Sequence, residues 1–237
     1  MAIHTLKLID RYAAAKNTFV FVFQKPDNFH FKPGQYGGFT LIQPNETDAS
    51  GNTRRFSLLS TPDDPFISFL TRIQNSAYKR VLMTLPIGCE IKFAGPTGNF
   101  ILHDDPTIPA VFIAGGMGVS PFYSMITFAT AHQLKQSLYL FYGNQSSGDT
   151  AFLNELLQLE KENTYFKFIP TFSNPEDNWQ GETGFITHTM IKKFISNLNI
   201  PFYYVCGSPT MVTALQETLA EMGVDEERIK IEDFPGY

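Results

Sequence analysis

The first hundred residues carry short runs of aromatic and β-branched side chains, separated by turns rich in Pro, Gly, Asn and Asp. Runs of this length and spacing are typical of an antiparallel barrel or sandwich. The predicted strands are Phe19–Phe23, Gln35–Leu41, Arg54–Ser60, Phe66–Arg72 and Glu90–Ala94. A single helical segment, Ser76–Leu85, interrupts them.

After Pro109 the pattern changes to alternating strands and helices. Ala110–Ala114 is a continuous apolar run, as expected of a parallel strand that is buried on both faces. Ser120 is a candidate helix N-cap, with Pro121 at the first helical position. Further strands are predicted at Leu138–Tyr142, Tyr165–Ile169, Phe202–Cys206 and Ile229–Glu232, and helices at Thr150–Asn163, Thr187–Leu198 and Pro209–Met222, with Gly223 as the C-terminal cap.

This alternation predicts an open, doubly wound parallel sheet. The charged, proline-containing segment 103–109 separates it from the β-rich part. We therefore expect two domains, 1–105 and 106–237. The length of 237 residues suits one large or two modest domains and leaves no room for a further redox module.

Charge is divided unevenly along the chain. Residues 1–105 carry 11 basic and 9 acidic side chains, whereas residues 106–237 carry 7 and 14. This distribution contains no basic stripe of the kind that binds nucleic acid. Phe supplies 23 of the aromatic residues, and composition alone does not separate a large aromatic core from a site for a flat aromatic ligand.

The two cysteines, Cys89 and Cys206, are too few for a disulfide framework or for a four-cysteine zinc or iron–sulfur site, and we predict no metal centre. The first residues lack the apolar core of a signal peptide. Segment 106–134 has no charged residue, but its central glycines divide it into a strand and a helix. We therefore expect a cytoplasmic protein without a membrane span, whose oligomeric state is open.

Ligands of doubly wound sheets bind beyond the carboxyl ends of the strands. There the sequence places Gly115, Gly116 and Gly118, a turn that either admits a diphosphate or simply joins strand to helix. Cys206 follows another strand and is either a ligand contact or a small buried hydrophobe. Glu232 ends the last strand, facing the same crevice.

Two basic features stand out in the β-rich part. Arg54 and Arg55 are adjacent on a strand, so one side chain can face a ligand while the other faces solvent. The turn at Ser76 and Ala77 opens a helix whose free N–H groups suit a phosphate. Ordinary surface solvation is the alternative for each feature.

Taken together, these motifs resemble the ferredoxin–NADP reductase superfamily. In chain order they are Pro33-Gly34-Gln35-Tyr36, Arg54-x-Phe56-Ser57, Ser76-Ala77-Tyr78, Gly95-Pro96-x-Gly98-x-Phe100, Gly115-Gly116-x-Gly118-x-x-Pro121, Cys206-Gly207 and Glu232-x-Phe234. The resemblance implies an antiparallel Greek-key barrel that binds FAD, followed by a parallel-sheet domain that binds NADH or NADPH. It also implies electron transfer to a separate carrier such as ferredoxin, flavodoxin or an oxygenase.

The resemblance also implies residue roles. Arg54 would contact the flavin diphosphate, Phe56 would lie against the isoalloxazine, and Ser57 would bond near flavin N5. The N–H groups of Ser76 and Ala77 would hold phosphate, and Phe234 or Tyr237 would cover the second flavin face. Cys206 would lie beside the nicotinamide, and Glu232 would assist proton movement. The residues implied to contact the nicotinamide nucleotide are Gly115, Gly116, Gly118, Thr171 and Gly207.

Two departures from the superfamily pattern qualify these roles. Phe56 replaces the usual Tyr and removes a hydroxyl group. The loop 143–149 lacks an Arg to hold a 2′-phosphate, which favours NADH over NADPH. The sequence leaves the acceptor and the physiological direction open. A second hypothesis is therefore a nucleotide-binding electron-transfer or regulatory subunit that is active only within a larger complex.

Overall fold

The computed structural model describes residues 2–233, so Phe234 and Tyr237 lie outside the described part of the chain. Its strands form two six-stranded sheets. The first sheet is antiparallel and consists of β1 (Ile3–Ala15), β2 (Thr18–Gln24), β3 (Tyr36–Leu41), β4 (Thr53–Ser57), β5 (Phe66–Arg72) and β6 (Glu90–Thr97), with helix α1 (Ala77–Thr84) between the last two.

The strand order β4-β3-β6-β1-β2-β5 is the predicted Greek-key arrangement. The outer strands approach each other where the Leu59 N–H donates to the Ser68 carbonyl at 2.8 Å, which curls the sheet into a barrel. Strand β1 was not predicted, because charged and exposed residues interrupt its apolar alternation. Its thirteen residues pair with both β2 and β6 and hold the two halves of the barrel together.

Phenylalanine fills the interior of the barrel. Eight Phe side chains share one buried cluster with Tyr78: Phe21, Phe23, Phe29, Phe31, Phe39, Phe56, Phe69 and Phe93. Neighbouring rings lie within 4.1 to 6.1 Å of each other. Each buried aromatic ring removes a large apolar area from water. Packing therefore accounts for much of the phenylalanine surplus.

The second sheet is parallel and doubly wound, as predicted. Its strands are β7 (Ala110–Gly115), β8 (Leu138–Asn144), β9 (Phe166–Phe172), β10 (Glu182–Thr183), β11 (Phe202–Gly207) and β12 (Ile229–Asp233), and its helices are α2 (Val119–Ala131), α3 (Leu153–Glu162), α4 (His188–Phe194) and α5 (Pro209–Glu221). The order β10-β9-β8-β7-β11-β12 reverses direction beside β7. A crevice is expected at such a reversal.

Two predicted helix starts were wrong. Helix α2 begins at Val119 with Gly118 as its N-cap, and the Ser120 hydroxyl donates to the Met117 carbonyl instead of capping the helix. Helix α3 begins at Leu153 and not at Thr150, because Phe152 adopts a left-handed backbone (φ 61°) that stops helix formation before it. That backbone lets its ring stack on Tyr123 at 4.3 Å.

The two sheets share one apolar core. Val20 and Leu70 of the barrel pack in the same buried cluster as Phe112 and Phe122 of the parallel-sheet part. The Ser124 hydroxyl also donates to the Ser60 carbonyl at 2.7 Å across this boundary. The crevice between the sheets therefore has a rigid floor. Among residues 2–233, no helix has the length and apolarity needed to cross a bilayer.

Candidate functional site

Two cavities open along the line where the sheets meet. The first, here called the barrel pocket, has a volume of about 760 Å³ and lies between Arg54, Ser76 and Lys79 on the barrel and Ile231 and Glu232 on β12. The second, here called the crevice pocket, has a volume of about 600 Å³. It lies at the carboxyl ends of β7, β8 and β11, where the strand order reverses.

Arg54 lines the barrel pocket, and its guanidinium group is held on several sides. It lies 5.1 Å from the Tyr78 ring centroid, donates to the Ser50 and Gly51 carbonyls at 2.9 Å, and pairs with Asp48 at 3.2 Å. Arg55 is more exposed than Arg54, and it lines the same pocket. These contacts fix one cation at the wall of the pocket.

The first turn of α1 forms the adjacent wall. The Ser76 side chain caps the helix by accepting from the Lys79 N–H, while the Ser76 N–H donates to the Gln74 carbonyl at 2.8 Å. The Ser76 N–H is thus used within the turn, while Ser76 itself lines the barrel pocket, and its contact with phosphate stays a prediction. The Ala77 N–H points outward and donates to Asp48 Oδ2 at 3.0 Å.

The Phe56 side chain is buried, whereas the resemblance implies that it lies against the isoalloxazine of a flavin. Its side chain is only 3% exposed, and its ring stacks on Phe69 with the centroids 4.1 Å apart. The ring packs into the barrel core, although Phe56 is among the residues that line the barrel pocket, and its contact with a flat ligand stays a prediction. Tyr36 pairs with Ser57 across β3 and β4, is half-buried, and lines the barrel pocket.

Ser57 and Glu232 meet at the inner end of the barrel pocket. The Ser57 hydroxyl donates to Glu232 Oε2 at 3.4 Å and joins β4 to β12. Burial raises the pKa of the Glu232 carboxyl to about 7, although the hydrogen bond from Ser57 acts in the opposite direction. A carboxyl group with this pKa is able to hold or release a proton near neutral pH.

Lys79 brings a third cation to the lining of the barrel pocket, beside Arg54 and Arg55. Its side chain is only 5% exposed. Burial, together with the nearby charges of Arg54 and Arg72, lowers the pKa of Lys79 to about 8. A buried cation beside two others destabilises the pocket unless an anion lies nearby. The lining of the barrel pocket thus combines the cations of Arg54, Arg55 and Lys79 with the carboxyl groups of Asp48, Glu232 and Asp233.

Arg72 connects the barrel to the crevice pocket. It ends β5, and its guanidinium group reaches the turn at Gly116, whose backbone is left-handed (φ 50°). Among the described residues, Arg72 Nε and Asn144 Nδ2 have no hydrogen-bond partner although both atoms are buried. Both residues line the crevice pocket. Unsatisfied buried donors are rare in native proteins, so this pair indicates a ligand that carries acceptor oxygens.

The third glycine of the turn has a packing role. A Cβ atom at Gly118 would lie 2.1 Å from the Cys206 carbonyl oxygen, so only glycine lets α2 start against β11. Cys206 itself is fully buried in the shared core, and burial raises the pKa of its thiol well above the usual value. The side chain packs as a small buried hydrophobe, and its contact with a ligand stays a prediction.

Of the remaining residues that were predicted to contact a ligand, some lie beside the crevice and others do not. Gly115 and Gly207 end β7 and β11, two neighbouring strands beside the crevice. Thr171 is fully buried, and its hydroxyl donates to the Gly184 carbonyl, so it supports the wall of the crevice from behind. This corrects its expected place in the lining. Phe234 and Tyr237 lie outside the described residues.

Known proteins are similar to this chain in sequence and in fold. Residues 112–217 match the family model described as the oxidoreductase NAD-binding domain. The chain is 28% identical over 232 residues to a subunit of the Na(+)-translocating NADH-quinone reductase of Serratia proteamaculans, covering 90% of this chain and 56% of that protein. It is 35% identical over 162 residues to the same subunit of Methylococcus capsulatus, covering 65% and 39%. The chain thus spans about half the length of such relatives or less.

Solved structures match almost the whole chain. A ferredoxin NADP+ reductase from Neisseria gonorrhoeae with bound FAD and NADP has a TM-score of 0.82 at 18% identity, covering 98% of both chains. The Amycolatopsis cytochrome P450 reductase GcoB has a TM-score of 0.83 at 23% identity, covering 98% of this chain and 70% of that one. The chain has the fold of these ferredoxin–NADP reductase-like proteins. The resemblance carried by the short motifs is thus confirmed.

Within this ferredoxin–NADP reductase fold, several residues that line the pockets were not predicted, among them Arg72, Lys79 and Asp48. Arg72 carried a usable signal, since it is a lone cation at the end of an apolar strand. Lys79 lies in the predicted helix, but sequence does not reveal that its side chain is buried. Asp48 comes from the 42–52 loop, and its placement against α1 depends on tertiary structure.

Proposed function

We propose that the chain is an FAD-dependent oxidoreductase that takes hydride from NADH or NADPH and passes electrons to a separate acceptor. In this proposal residues 1–105 bind FAD in the barrel pocket, and residues 106–237 bind the nicotinamide nucleotide in the crevice pocket. FAD, when bound, accepts the hydride and releases electrons singly. The observation that carries the proposal is the pair of pockets between the sheets, one lined by Arg54 and Lys79 and the other by Arg72.

The donors of the barrel pocket fit a flavin diphosphate. The Arg54 guanidinium group and the Lys79 ammonium group supply positive charge, and the Ala77 N–H adds the partial charge of a helix N-terminus. Tyr36 replaces Phe56 as the aromatic side chain available to the flavin ring, because it is the one that is half-exposed in this pocket.

The crevice pocket fits a nicotinamide nucleotide. Gly116 leaves room for the diphosphate beside Arg72, and the unsatisfied amide of Asn144 offers another donor. Among the described residues that line this pocket, Arg72 is the single cation and Asp149 contributes a carboxylate. A 2′-phosphate needs a further cation, so this lining favours NADH.

Ser57 and Glu232 lie between the two nucleotides in this proposal. Because the Glu232 carboxyl has a pKa near neutrality, it is able to exchange a proton with solvent while Ser57 relays it toward the flavin. Cys206 contributes by packing in the core that the two sheets share. The shared core orients the flavin and nicotinamide rings toward each other, and this orientation supplies the remaining contribution to the rate of hydride transfer.

The electron acceptor is a separate protein in this proposal, such as ferredoxin, flavodoxin or an oxygenase. A second candidate function is an electron-transfer subunit that works only within a larger complex. The names of the curated relatives favour this second candidate, since each describes one subunit of a Na(+)-translocating NADH-quinone reductase. The two candidates differ in what surrounds the chain and not in the chemistry of its pockets.

An absorption spectrum followed by anaerobic titration tests the shared part of the proposal. We expect a purified protein with flavin absorbance that is bleached by one equivalent of NADH. A protein that stays colourless after incubation with FAD would overturn the proposal. Isolation from the native cell then separates the two candidates: a stable complex that alone reduces the physiological acceptor supports the subunit, and full turnover by the free chain supports the single-chain reductase.

A further inference from the structure

The loop between β3 and β4, residues 42–52, covers one end of the barrel pocket. Its Asp48 carboxylate accepts from the Ala77 N–H at 3.0 Å and pairs with the Arg54 guanidinium group at 3.2 Å. A third donor, the Ser50 N–H of the same loop, lies 3.0 Å from Oδ1. Helix N-terminal N–H groups and arginine are the donors that proteins offer to phosphate.

The loop is held in this place by contacts outside Asp48. Glu46 forms a two-pronged ion pair with Arg80 on the exposed side of α1. On the other side, Arg54 donates to the Ser50 and Gly51 carbonyls. These contacts are polar and largely exposed, so each contributes little stability by itself. The loop is therefore anchored on α1 by bonds that exchange readily with solvent.

Positive charge gathers beneath the loop. Arg54 and the buried Lys79 line the same pocket, and Arg72 is near enough to affect Lys79. Burial raises the pKa of Asp48, but the hydrogen bonds from Ala77, Ser50 and Arg54 outweigh it and hold that pKa below its usual value. The carboxylate thus stays ionised, and it is held by the same kinds of donor that a phosphate group would use.

We propose that Asp48 is a built-in substitute for a ligand phosphate, which occupies the N-terminus of α1 in the free protein and must leave, with the 42–52 loop, when a flavin nucleotide binds. This inference rests on the proposed function, because it takes the nucleotide phosphates to bind at Ala77 and Arg54. The carboxylate satisfies these donors while the pocket is empty. The same contact competes with the diphosphate and lowers its affinity.

The test compares Asp48→Asn with the unchanged chain after flavin removal, using FAD, ADP and riboflavin as ligands. ADP presents the diphosphate without the flavin ring, and riboflavin presents the ring without phosphate. We expect Asp48→Asn to bind FAD and ADP about tenfold more tightly and riboflavin unchanged. Asp27→Asn, an exposed acid on the barrel outside both pockets, is the matched control and should bind all three as the unchanged chain does.

Hydrogen exchange of the 42–52 loop supplies an independent readout. ADP should increase exchange of the unchanged protein at this loop, because its anchor on α1 is displaced. Unaltered or weaker binding of FAD and ADP by Asp48→Asn overturns the inference and leaves the proposed function intact. Tighter binding of ADP by Asp48→Asn, with no FAD uptake by either protein, supports the inference about Asp48 and overturns the proposal that the chain binds FAD. If neither protein binds FAD or ADP, the inference and the proposed function are both overturned. Asp48→Ser repeats the comparison if the Asn variant does not fold.

Discussion

Ser57 of β4 and Glu232 of β12 lie 175 positions apart, and the Ser57 hydroxyl donates to Glu232 Oε2 at 3.4 Å. This bond joins the barrel to the edge strand of the parallel sheet. It also places a carboxyl group whose pKa burial raises to about 7 at the inner end of the barrel pocket. The proton on Glu232 is therefore coupled both to folding and to the chemistry proposed for the pocket.

The first prediction concerns stability and pH. The usual pKa of a glutamate is 4.5, and that of Glu232 in the folded protein is about 7. Between these two pH values the folded protein keeps the Glu232 proton that the unfolded chain has lost. The free energy of unfolding therefore falls as pH rises through this window. Glu232→Gln keeps the shape without the titration, so we expect the variant to gain up to about 3 kcal/mol over the unchanged chain by pH 7. Urea unfolding of both proteins measures the difference, and a difference that is constant with pH contradicts the prediction.

A second prediction concerns Arg72. Removing a charge-assisted contact to a diphosphate costs about 1.5–3 kcal/mol. We expect Arg72→Met to raise the KM for NADH about 10- to 100-fold, with a smaller change in kcat and no loss of flavin. Steady-state kinetics with ferricyanide measure both constants. Arg228→Met, just before β12, is the matched control. An unchanged KM in the Arg72 variant would show that this cation does not contact the nucleotide.

The third prediction separates a core role from a cofactor role for two aromatic residues. Because Phe56 stacks on Phe69 in the barrel core, Phe56→Ala should cost about 3–5 kcal/mol of stability. Phe56→Leu keeps most of the volume, and we expect it to retain its flavin. Tyr36→Ala should instead reduce the flavin-to-protein absorbance ratio with a smaller loss of stability. Loss of flavin from a stable Phe56→Leu protein would show instead that Phe56 contacts the flavin.

The sequence allowed the two sheets to be predicted because each has its own periodicity. The continuous apolar run of β7 and the helix face beginning at Phe122 identify a parallel sheet before any contact is known. Strand β1 escaped prediction because it packs on both of its neighbours through a mixed set of apolar and charged residues. Local patterning does not reveal a strand whose stability comes from tertiary pairing.

The candidate site was predictable where the backbone determines the chemistry. The turn at Gly116 and the start of α1 follow directly from strand ends and capping residues. The directions of the Phe56 and Cys206 side chains did not follow, because they depend on which face of each strand meets the core. The contact of Asp48 with α1 joins residues 29 positions apart, and no local pattern predicts it.

A further prediction follows from the burial of Lys79. Since its pKa is lowered to about 8, the folded protein holds this charge less readily than the unfolded chain, and stability rises with pH between about 8 and 10.5. Lys79→Met should remove that pH dependence and stabilise the ligand-free protein by about 1–3 kcal/mol at pH 7. The same variant should bind FAD more weakly. A simultaneous loss of stability and affinity contradicts the proposed balance between folding and binding.

The last prediction concerns the electron donor. Asp149 lines the crevice pocket, where its carboxylate accepts from the Ser146 hydroxyl at 2.7 Å and opposes a 2′-phosphate. We expect kcat/KM for NADH to exceed that for NADPH at least about tenfold, a difference of about 1.4 kcal/mol. Asp149→Asn should raise kcat/KM for NADPH several-fold and leave that for NADH nearly unchanged, whereas the exposed Asp177→Asn should alter neither. A tenfold preference of the unchanged chain for NADPH would show that a cation outside this lining holds the 2′-phosphate.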